Sequence, residues 1–384
     1  MGWYCRMKSR IDRTRGKALR AACVCAVTSM VVILGAHPPR LPAQALDRIV
    51  SEHVRIRVPA EQEWLGRDVI VDLERCYLFV HRLTGKSLPR WVLVTVNWSE
   101  GETRLDRENA QITLGMRGAA ADSRAYLMHH AAREMGRLAL LVLSEGNAGL
   151  VENRFLLEGM AEIIAHEFEG SSRGLGAAWA RCHLLDRMQP LSFEALASWD
   201  RFSAGRQDLA SASPGITLLL TGRSLRGRER LLRLFEAMRN KSPTESLAEA
   251  FKLPASALQK MWLERVRGYR PEEKLTVASE EAAPALDRVA VEPDAAKAGT
   301  TLRIRAFIRD RSNDLAPEGV FLEDRPSQRV VQAATAIEAA AKHFVFELPL
   351  ERERKPGLYE FLVTAIDEAG NLRTWPGSYA VVAD

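Results

Sequence analysis

The stretch Asn153–Phe168, NRFLLEGMAEIIAHEF, combines an apolar helical pattern with three ionisable residues at regular spacing. Glu158, Glu162 and His166 follow one another at four-residue intervals, so a helix places them along one inward ridge. A second helical segment, Leu127–Arg137 with the sequence LMHHAAREMGR, lies about one helix length upstream and carries two histidines, a glutamate and two arginines. These two helices form the candidate site of the chain.

Two pairs of residues on the upstream helix could face that ridge. His129 is followed one turn later by Arg133, and His130 is followed one turn later by Glu134. At about 100° per residue, His130 and Glu134 fall at roughly 300° and 340° from Leu127, beside the apolar face, whereas His129 and Arg133 fall at roughly 200° and 240° and point away. We therefore favour His130 and Glu134 as site residues and keep His129 as the other register.

In this order, the two helices resemble those of the gluzincin-like, or peptidase MA-like, metallopeptidases. That family carries HExxH on its first helix and a ligand glutamate in an EGxAE motif on its second. Glu158, Gly159, Ala161 and Glu162 match the second motif, while the first is degenerate. The resemblance spans roughly residues 50–268 and implies the family's fold.

The resemblance implies a metal set of His130, Glu134 and Glu158, with Glu162 and His166 orienting the ligands from outside the set. One histidine with two carboxylates holds zinc less well than two histidines with one carboxylate. We expect no cofactor, and zinc if any metal is bound. A simpler alternative is that Glu158, Glu162 and His166 pair with nearby arginines: Arg133, Arg137 or Arg154.

The residues that water activation requires are missing from the motif. In the favoured register Ala131 stands where the catalytic glutamate belongs, and alanine cannot accept a proton. The family also supplies a tyrosine or histidine from a later helix to stabilise the oxyanion, and residues 190–230 contain neither. No catalytic residue is assigned, and the sequence predicts an inactive enzyme.

The N-terminus has the order of a secretory signal. Residues 1–20 hold seven basic residues, Ala21–Ala36 is apolar, and residues 43–45 read Ala-Gln-Ala, a cleavage signal. We predict a signal peptide over residues 1–45 and export to the periplasm or beyond. The alternative is an uncleaved N-terminal anchor, the one route by which this sequence would contact a membrane.

Removal of residues 1–45 changes what the composition implies. Those residues hold eight Lys or Arg and one Asp, so the net charge moves from +5 to about −2. The basic balance belongs to the targeting segment, and nucleic acid is not expected as a partner. Cys76 and Cys182 remain, and they are either a disulfide or two buried free thiols.

The predicted fold class is α+β, with two domains after the signal peptide. A mostly helical gluzincin-like domain with a small N-terminal sheet covers residues 46–271, and a charged, Ala/Pro-rich linker covers 272–284. Alternation at Leu302, Ile304, Ala306 and Ile308 indicates strands in residues 285–384. That segment resembles a bacterial immunoglobulin-like β-sandwich.

These observations predict an exported gluzincin-like pseudopeptidase. Its former substrate cleft would bind a peptide or an envelope protein. The first alternative is an active zinc-dependent metallohydrolase that uses His130, Glu134 and Glu158. The second is an envelope protein whose two domains serve only as contacts for other proteins.

Overall fold

The computed structural model describes residues 47–85, 88–98, 103–116, 123–170, 173–197, 208–221, 228–269, 283–310, 315, 319–333, 343–367 and 371–383. All of them belong to one compact unit that runs from Gln44 to Asp384. The predicted signal peptide and most of the predicted linker lie outside the described residues. None of the helices in the described part combines the length and the apolarity needed to span a bilayer.

A five-stranded sheet opens the described chain. Its strands are β1 (Asp47–Val50), β2 (Val54–Val58), β3 (Val92–Asn97), β4 (Arg104–Asp106) and β5 (Gln111–Gly115), in the order β1-β2-β3-β5-β4. The three central strands are parallel, and the two outer strands pair antiparallel to their neighbours. Helix α1 (Glu63–Leu83) connects β2 to β3 and packs on the sheet. At Gly66 the backbone of α1 comes so close that an added Cβ would lie 2.6 Å from the Ile49 side chain.

Eight further α-helices follow the sheet in the described part of the chain. They are α2 (Ser123–Leu143), α3 (Arg154–Glu169), α4 (Arg173–Met188), α5 (Phe193–Ala197), α6 (Asp208–Thr221), α7 (Arg228–Ala237), α8 (Pro243–Phe251) and α9 (Ala255–Gly268). Apolar periodicity predicts all of them except α5, which at five residues is too short to show a period. The prediction of a mixed α and β fold, with strands after the helices, is confirmed.

Helices α3 and α6 meet backbone to backbone. A Cβ added at Gly159 would lie 2.6 Å from the backbone of Gly215 and Ile216, and one added at Gly215 would lie 1.9 Å from the carbonyl oxygen of Phe155. Neither position can hold a side chain without moving a helix. The glycine of the EGxAE segment is therefore explained by packing.

Residues from 285 onward form two sheets. The strands are β6 (Ala285–Glu292), β7 (Ala295–Lys297), β8 (Thr301–Arg309), β9 (Val320–Asp324), β10 (Arg329–Gln332), β11 (His343–Pro349), β12 (Gly357–Ile366) and β13 (Leu372–Val382). One sheet has the order β10-β9-β12-β13-β7 and the other β11-β8-β6. The alternating residues of β8 are buried, as predicted, in a core to which both sheets contribute.

The helical region and the sheets share a contact surface. Arg181 on α4 donates from Nη2 to the carbonyl oxygens of Ile366 and Asp367, each at 2.9 Å. Arg187 pairs with Glu323 on β9 at 2.9 Å. Four apolar residues from the strand region join the helical core: Phe321, Val330, Ile366 and Leu372. The β sheets are thus docked on the helices.

Cys76 and Cys182 are separate, buried free thiols. Cys76 lies on α1 and Cys182 on α4. Burial raises the pKa of both thiols. Of the two alternatives that the sequence leaves open, the structure therefore shows the free thiols.

Candidate functional site

The candidate site lies in the seam between α2 and α3. Close approach of the two helices is possible at Gly136, where an added Cβ would lie 3.2 Å from the side chain of Ile164. The ridge of α3 that carries Glu158, Glu162 and His166 is buried along this seam. Because side chains one turn apart line the same face, the seam collects charges from both helices.

Arg133 lies at the centre of this seam and is only 4% exposed. Its Nη2 donates to Glu158 Oε2 at 2.9 Å, and its Nε lies 2.6 Å from Glu162 Oε1. Both carboxylates are 1% exposed. One guanidinium therefore bridges two consecutive carboxylates of the α3 ridge.

Arg137 repeats the arrangement one turn further along α2. Its Nη1 donates to Glu134 Oε2 at 2.8 Å, and its Nη2 lies 3.1 Å from Glu158 Oε1. Arg133 also lies 3.4 Å from Glu134. Two arginines thus compensate the buried carboxylates in a low-dielectric environment, where an uncompensated charge is strongly unfavourable.

The sequence-predicted metal set does not fit a metal in this arrangement. Glu134 and Glu158 both bind arginines, and a cation already lies between them. The ring of His130 instead lies 4.1 Å from the ring of Tyr126, centroid to centroid. Among the described residues, His130, Glu134 and Glu158 are not a group whose ligand atoms converge.

The predicted orientation of Arg133 away from the buried side is wrong. The helical wheel assumed one apolar face, but α2 is covered by α1, by α3 and by β5, so most of its circumference is buried. Leu127 and Arg133 are both buried on this helix. A charged residue can be buried here because the carboxylates opposite it supply the compensating charge. The register that begins at His129 is the one that faces Glu158 and Glu162.

A second cluster lies at the end of the seam, toward the C-terminus of α3. His129 Nε2 is 3.1 Å from Glu162 Oε2, and His129 Nδ1 is 3.1 Å from Glu169 Oε1. His166 Nε2 lies 4.0 Å from Glu162 Oε2. The ligand atoms of His129, Glu162 and His166 all lie within 4.8 Å of one another, so they are a possible metal-binding group.

The two histidines of this cluster have pKa values that move in opposite directions. Burial alone would lower the pKa of His129, but hydrogen bonds to Glu162 and Glu169 outweigh it and raise that pKa to about 10. Burial is the main cause that lowers the pKa of His166. Burial alone would raise the pKa of Glu162, but Arg133 and His129 hold it well below its usual value. At neutral pH the cluster therefore holds an ionised Glu162, a charged His129 and a neutral His166.

Sequence reasoning misses one member of this cluster, Glu169, although it lies three residues after His166 and so shares its helix face. It includes His129 as the residue of the other register. Two features of the sequence could have indicated the cluster. Glu162, His166 and Glu169 share one face of a helix, and His129 lies one turn before Arg133 on the other helix.

The described residues contain one other group with converging ligand atoms: Glu52, His53 and Glu74. Glu52 has a side chain that is 83% exposed. Glu74 accepts hydrogen bonds from Ser51 Oγ at 2.6 Å and from the His53 backbone N–H at 2.9 Å. The group thus holds the β1–β2 turn against α1.

No protein-family model matches the chain, and no curated protein matches it. Solved structures similar to it include the alkylpurine DNA glycosylase AlkC of Pseudomonas fluorescens bound to DNA containing an abasic site analog. That match has 14% identity and a TM-score of 0.21, and it covers 67% of this chain and 81% of that one. Another is the S-layer protein rSbsC(31-844), with 12% identity and a TM-score of 0.16 over 84% of this chain and 46% of that one. At such scores neither likeness carries an argument about structure or function.

Proposed function

We propose that this protein is an exported, gluzincin-like pseudopeptidase that binds an extended peptide or an envelope protein without hydrolysing it. One observation supports this most directly. The guanidinium of Arg133 lies between Glu158 and Glu162. By the resemblance, Glu158 corresponds to the family's metal ligand, and Glu162 to a carboxylate that orients the ligands. An internal arginine would thus supply permanently the positive charge that a metal supplies in active relatives.

The position of Arg133 in the motif supports the same proposal. In the register that begins at His129, residue 133 corresponds to the second histidine of HExxH, and His130 to the catalytic glutamate. The ring of His130 packs against Tyr126. Neither residue can act as the carboxylate base that this chemistry requires. The alternative, a zinc metallohydrolase built on His130, Glu134 and Glu158, would require both arginines to leave the seam.

The edge of the N-terminal sheet supports peptide binding. Among the described residues, strand β4 ends the sheet, and Arg104 and Asp106 on it are exposed. Its inner neighbour β5 packs on α2, the helix that carries Arg133 and Arg137. An extended peptide can add to such an edge through main-chain hydrogen bonds. Under this proposal the two C-terminal sheets are an immunoglobulin-like sandwich.

The loss of the metal can be tested by restoring the motif. The variant His130→Glu/Arg133→His/His166→Ala rebuilds HExxH and disables the histidine cluster at the end of α3. We expect the restored variant to bind one equivalent of zinc, measured by elemental analysis of untagged protein, and to lose it when Glu158→Gln is added. The unaltered protein should not cleave casein. Casein cleavage that Glu158→Gln abolishes would overturn the proposal, as would a folded restored variant that takes no zinc.

Peptide binding can be tested at β4 with two matched variants. Backbone N–H groups alternate across a strand, so of Arg104→Pro and Leu105→Pro one removes an outward donor and the other a donor to β5. The probe is a fluorescein-labelled pool of random dodecapeptides, followed by anisotropy. We expect the unaltered protein to bind the peptides saturably. The variant that has lost only the outward donor should keep the melting temperature of the unaltered protein and should no longer bind. Binding that is absent, or that survives in both variants, would contradict a role for this edge.

A further inference from the structure

His166 is a buried histidine that makes long contacts to two carboxylates. The residue is only 8% exposed, and its Nδ1 makes no hydrogen bond within the part of the chain that the structure describes. Its two ring nitrogens lie 4.0 Å from Glu162 Oε2 and 3.9 Å from Glu169 Oε2, both too long for hydrogen bonds. Nε2, the ring nitrogen nearer Glu162, therefore makes no hydrogen bond to that carboxylate and is available to a bound ion.

We propose that His129 Nε2, Glu162 Oε2 and His166 Nε2 form a binding site for a divalent transition metal, best suited to zinc, displaced along α3 from the position that Arg133 fills. Two imidazoles and one carboxylate are a donor set that zinc accepts, and the fourth position would be left to water. This inference does not rest on the proposed function, because neither Arg133 nor the sheet edge contributes a ligand.

The distances require only a small movement. Ligand atoms at about 2.0–2.1 Å from a tetrahedral zinc lie roughly 3.3–3.4 Å from one another. His129 Nε2 and Glu162 Oε2 are 3.1 Å apart, and His166 Nε2 is 4.0 Å from the same oxygen. The nitrogen atoms of His129 and His166 lie within 4.8 Å of one another. A movement of the His166 ring toward Glu162 and His129 by up to about 1.5 Å would complete the triangle.

The surroundings orient each ligand. Glu169 lies 3.1 Å from Nδ1 of His129, so it fixes the ring with Nε2 directed at Glu162, the arrangement in which a carboxylate supports a metal-bound histidine. Arg133 holds the other oxygen of Glu162 at 2.6 Å and leaves Oε2 for the ion. His129 and Glu162 thus each have a partner on the side that faces away from the proposed metal, and His166 is held by burial.

Access and charge also suit a cation. The side chains of His129 and Glu169 are 20% and 26% exposed, so the site opens to solvent on that side. Arg133 and Arg137 balance two of the four carboxylates of the seam: Glu134, Glu158, Glu162 and Glu169. The two remaining negative charges balance a divalent ion when both histidines are neutral.

The test is a zinc titration of the purified, untagged full chain, with elemental analysis after dialysis. We expect one equivalent of bound zinc in the unaltered protein and none in His129→Ala or His166→Ala. The matched control is His130→Ala, which removes a neighbouring histidine on the same helix and should keep the full equivalent. For Glu169→Gln we expect binding weakened about 10- to 100-fold, the usual effect of losing the outer partner of a metal-bound histidine.

Two further measurements guard against a variant that fails to fold. In the unaltered protein, X-ray absorption at the zinc edge should show nitrogen and oxygen ligands without sulfur, and zinc should raise the melting temperature. Several results would overturn the site: no bound zinc, zinc that persists in His166→Ala, a sulfur ligand, or zinc lost in His130→Ala. The last result would favour the set His130, Glu134 and Glu158 instead. That result would also contradict the proposed role of Arg133, because this set requires both arginines to leave the seam. The other results bear neither on Arg133 nor on peptide binding at β4.

Discussion

Arg133 differs from an ordinary exposed arginine on a helix in both its burial and its contacts. Its guanidinium contacts Glu158 and Glu162 on another helix, and all three side chains are almost fully buried. A buried ion pair of this kind contributes little net stability compared with apolar packing, but removal of one partner leaves the others desolvated and unpaired. The consequences of mutation are therefore strongly asymmetric.

We predict that Arg133→Ala lowers the free energy of unfolding by about 3–5 kcal/mol, because two buried carboxylates lose their shared cation. Urea unfolding followed by circular dichroism would measure it. The matched control is Arg124→Ala, since Arg124 is half exposed and pairs with Asp72 on the surface. That change should cost at most about 1 kcal/mol. Equal losses in the two variants would show that the seam does not depend on Arg133.

At the residue scale, the sequence predicted the ridge of α3 but chose the wrong register on α2. Four-residue spacing is enough to place Glu158, Glu162 and His166 on one face of a helix. The choice between His129 and His130 depended on which face of α2 is buried, and that is set by its neighbours. A helix covered on several sides has no single apolar stripe from which to read direction.

The contact between α3 and α6 depends on two glycines. Gly159 and Gly215 face each other at a distance that excludes any Cβ, so the helix axes approach more closely than side chains would permit. Because Gly159 follows Glu158 directly, this contact also fixes the position of that carboxylate in the seam.

We predict that Gly215→Ala destabilises the protein by about 1–3 kcal/mol, because the new methyl group overlaps the Phe155 carbonyl and forces the helices apart. Gly268→Ala is the matched control, since no atom lies within 4 Å of a Cβ added there. That change should be neutral or stabilising by up to about 1 kcal/mol, because alanine favours the helix. Thermal unfolding of both variants decides the matter, and a neutral Gly215→Ala would contradict the close contact.

A buried network in the strand region gives a prediction on pH. Asp324 on β9 accepts hydrogen bonds from Arg354 Nη2 and from the Tyr379 hydroxyl, each at 2.8 Å. Burial alone would raise the pKa of Asp324, but its hydrogen bonds, first that from Arg354, lower it below the usual 3.8. Because the folded state then binds protons less readily than the unfolded state, this contribution to stability is present above pH 3.8 and is lost as the pH falls through the folded-state pKa.

We therefore predict that the stability difference between the unaltered protein and Asp324→Asn is greatest near neutral pH and shrinks below about pH 4. Urea unfolding at a series of pH values would measure that difference directly. Asp287→Asn is a suitable control, because Asp287 pairs with Arg309 on the surface. A constant difference for Asp324→Asn between about pH 7 and pH 3 would contradict the prediction.

At the element scale, periodicity predicts the long helices, the strands β2, β3, β5, β8 and β11, and the hairpin that begins with β12. It misses six elements of three to five residues, which hold too few repeats of their period: β1, β4, β7, β9, β10 and α5. It also misses the eight-residue strand β6, because none of its residues is buried and no alternation results. Strand β4 in particular exists through its pairing with β5, from Arg104–Thr113 to Asp106–Gln111, which no local pattern encodes.

At the scale of the whole molecule, composition predicted a linker over 272–284 but not whether the flanking regions touch. The contact depends on Arg181, which donates to the backbone carbonyls of Ile366 and Asp367. Backbone acceptors leave no trace in a sequence, because every residue has one. Residues such as Ile366 and Leu372 read only as ordinary strand residues, although they complete the helical core.

We predict that the unaltered protein unfolds in one cooperative transition, with equal van't Hoff and calorimetric enthalpies. Arg181→Ala should lower the melting temperature by several degrees and separate the unfolding of the strands from that of the helices, because two buried carbonyls lose their donor. Differential scanning calorimetry would show both effects. Arg309→Ala, which removes an exposed ion pair within the strand region, should leave a single transition.

The docking of late strands on early helices has a consequence for the growing chain. Helix α9 ends at Gly268, yet the helical core is completed by Phe321, Ile366 and Leu372. At a synthesis rate of about 5–20 residues per second, the ribosome needs roughly 5–20 s to travel from residue 268 to residue 372. Throughout that interval the helices have an apolar surface that lacks its cover. The nascent protein thus carries a built-in delay, during which a chaperone has a binding surface that the finished molecule no longer offers.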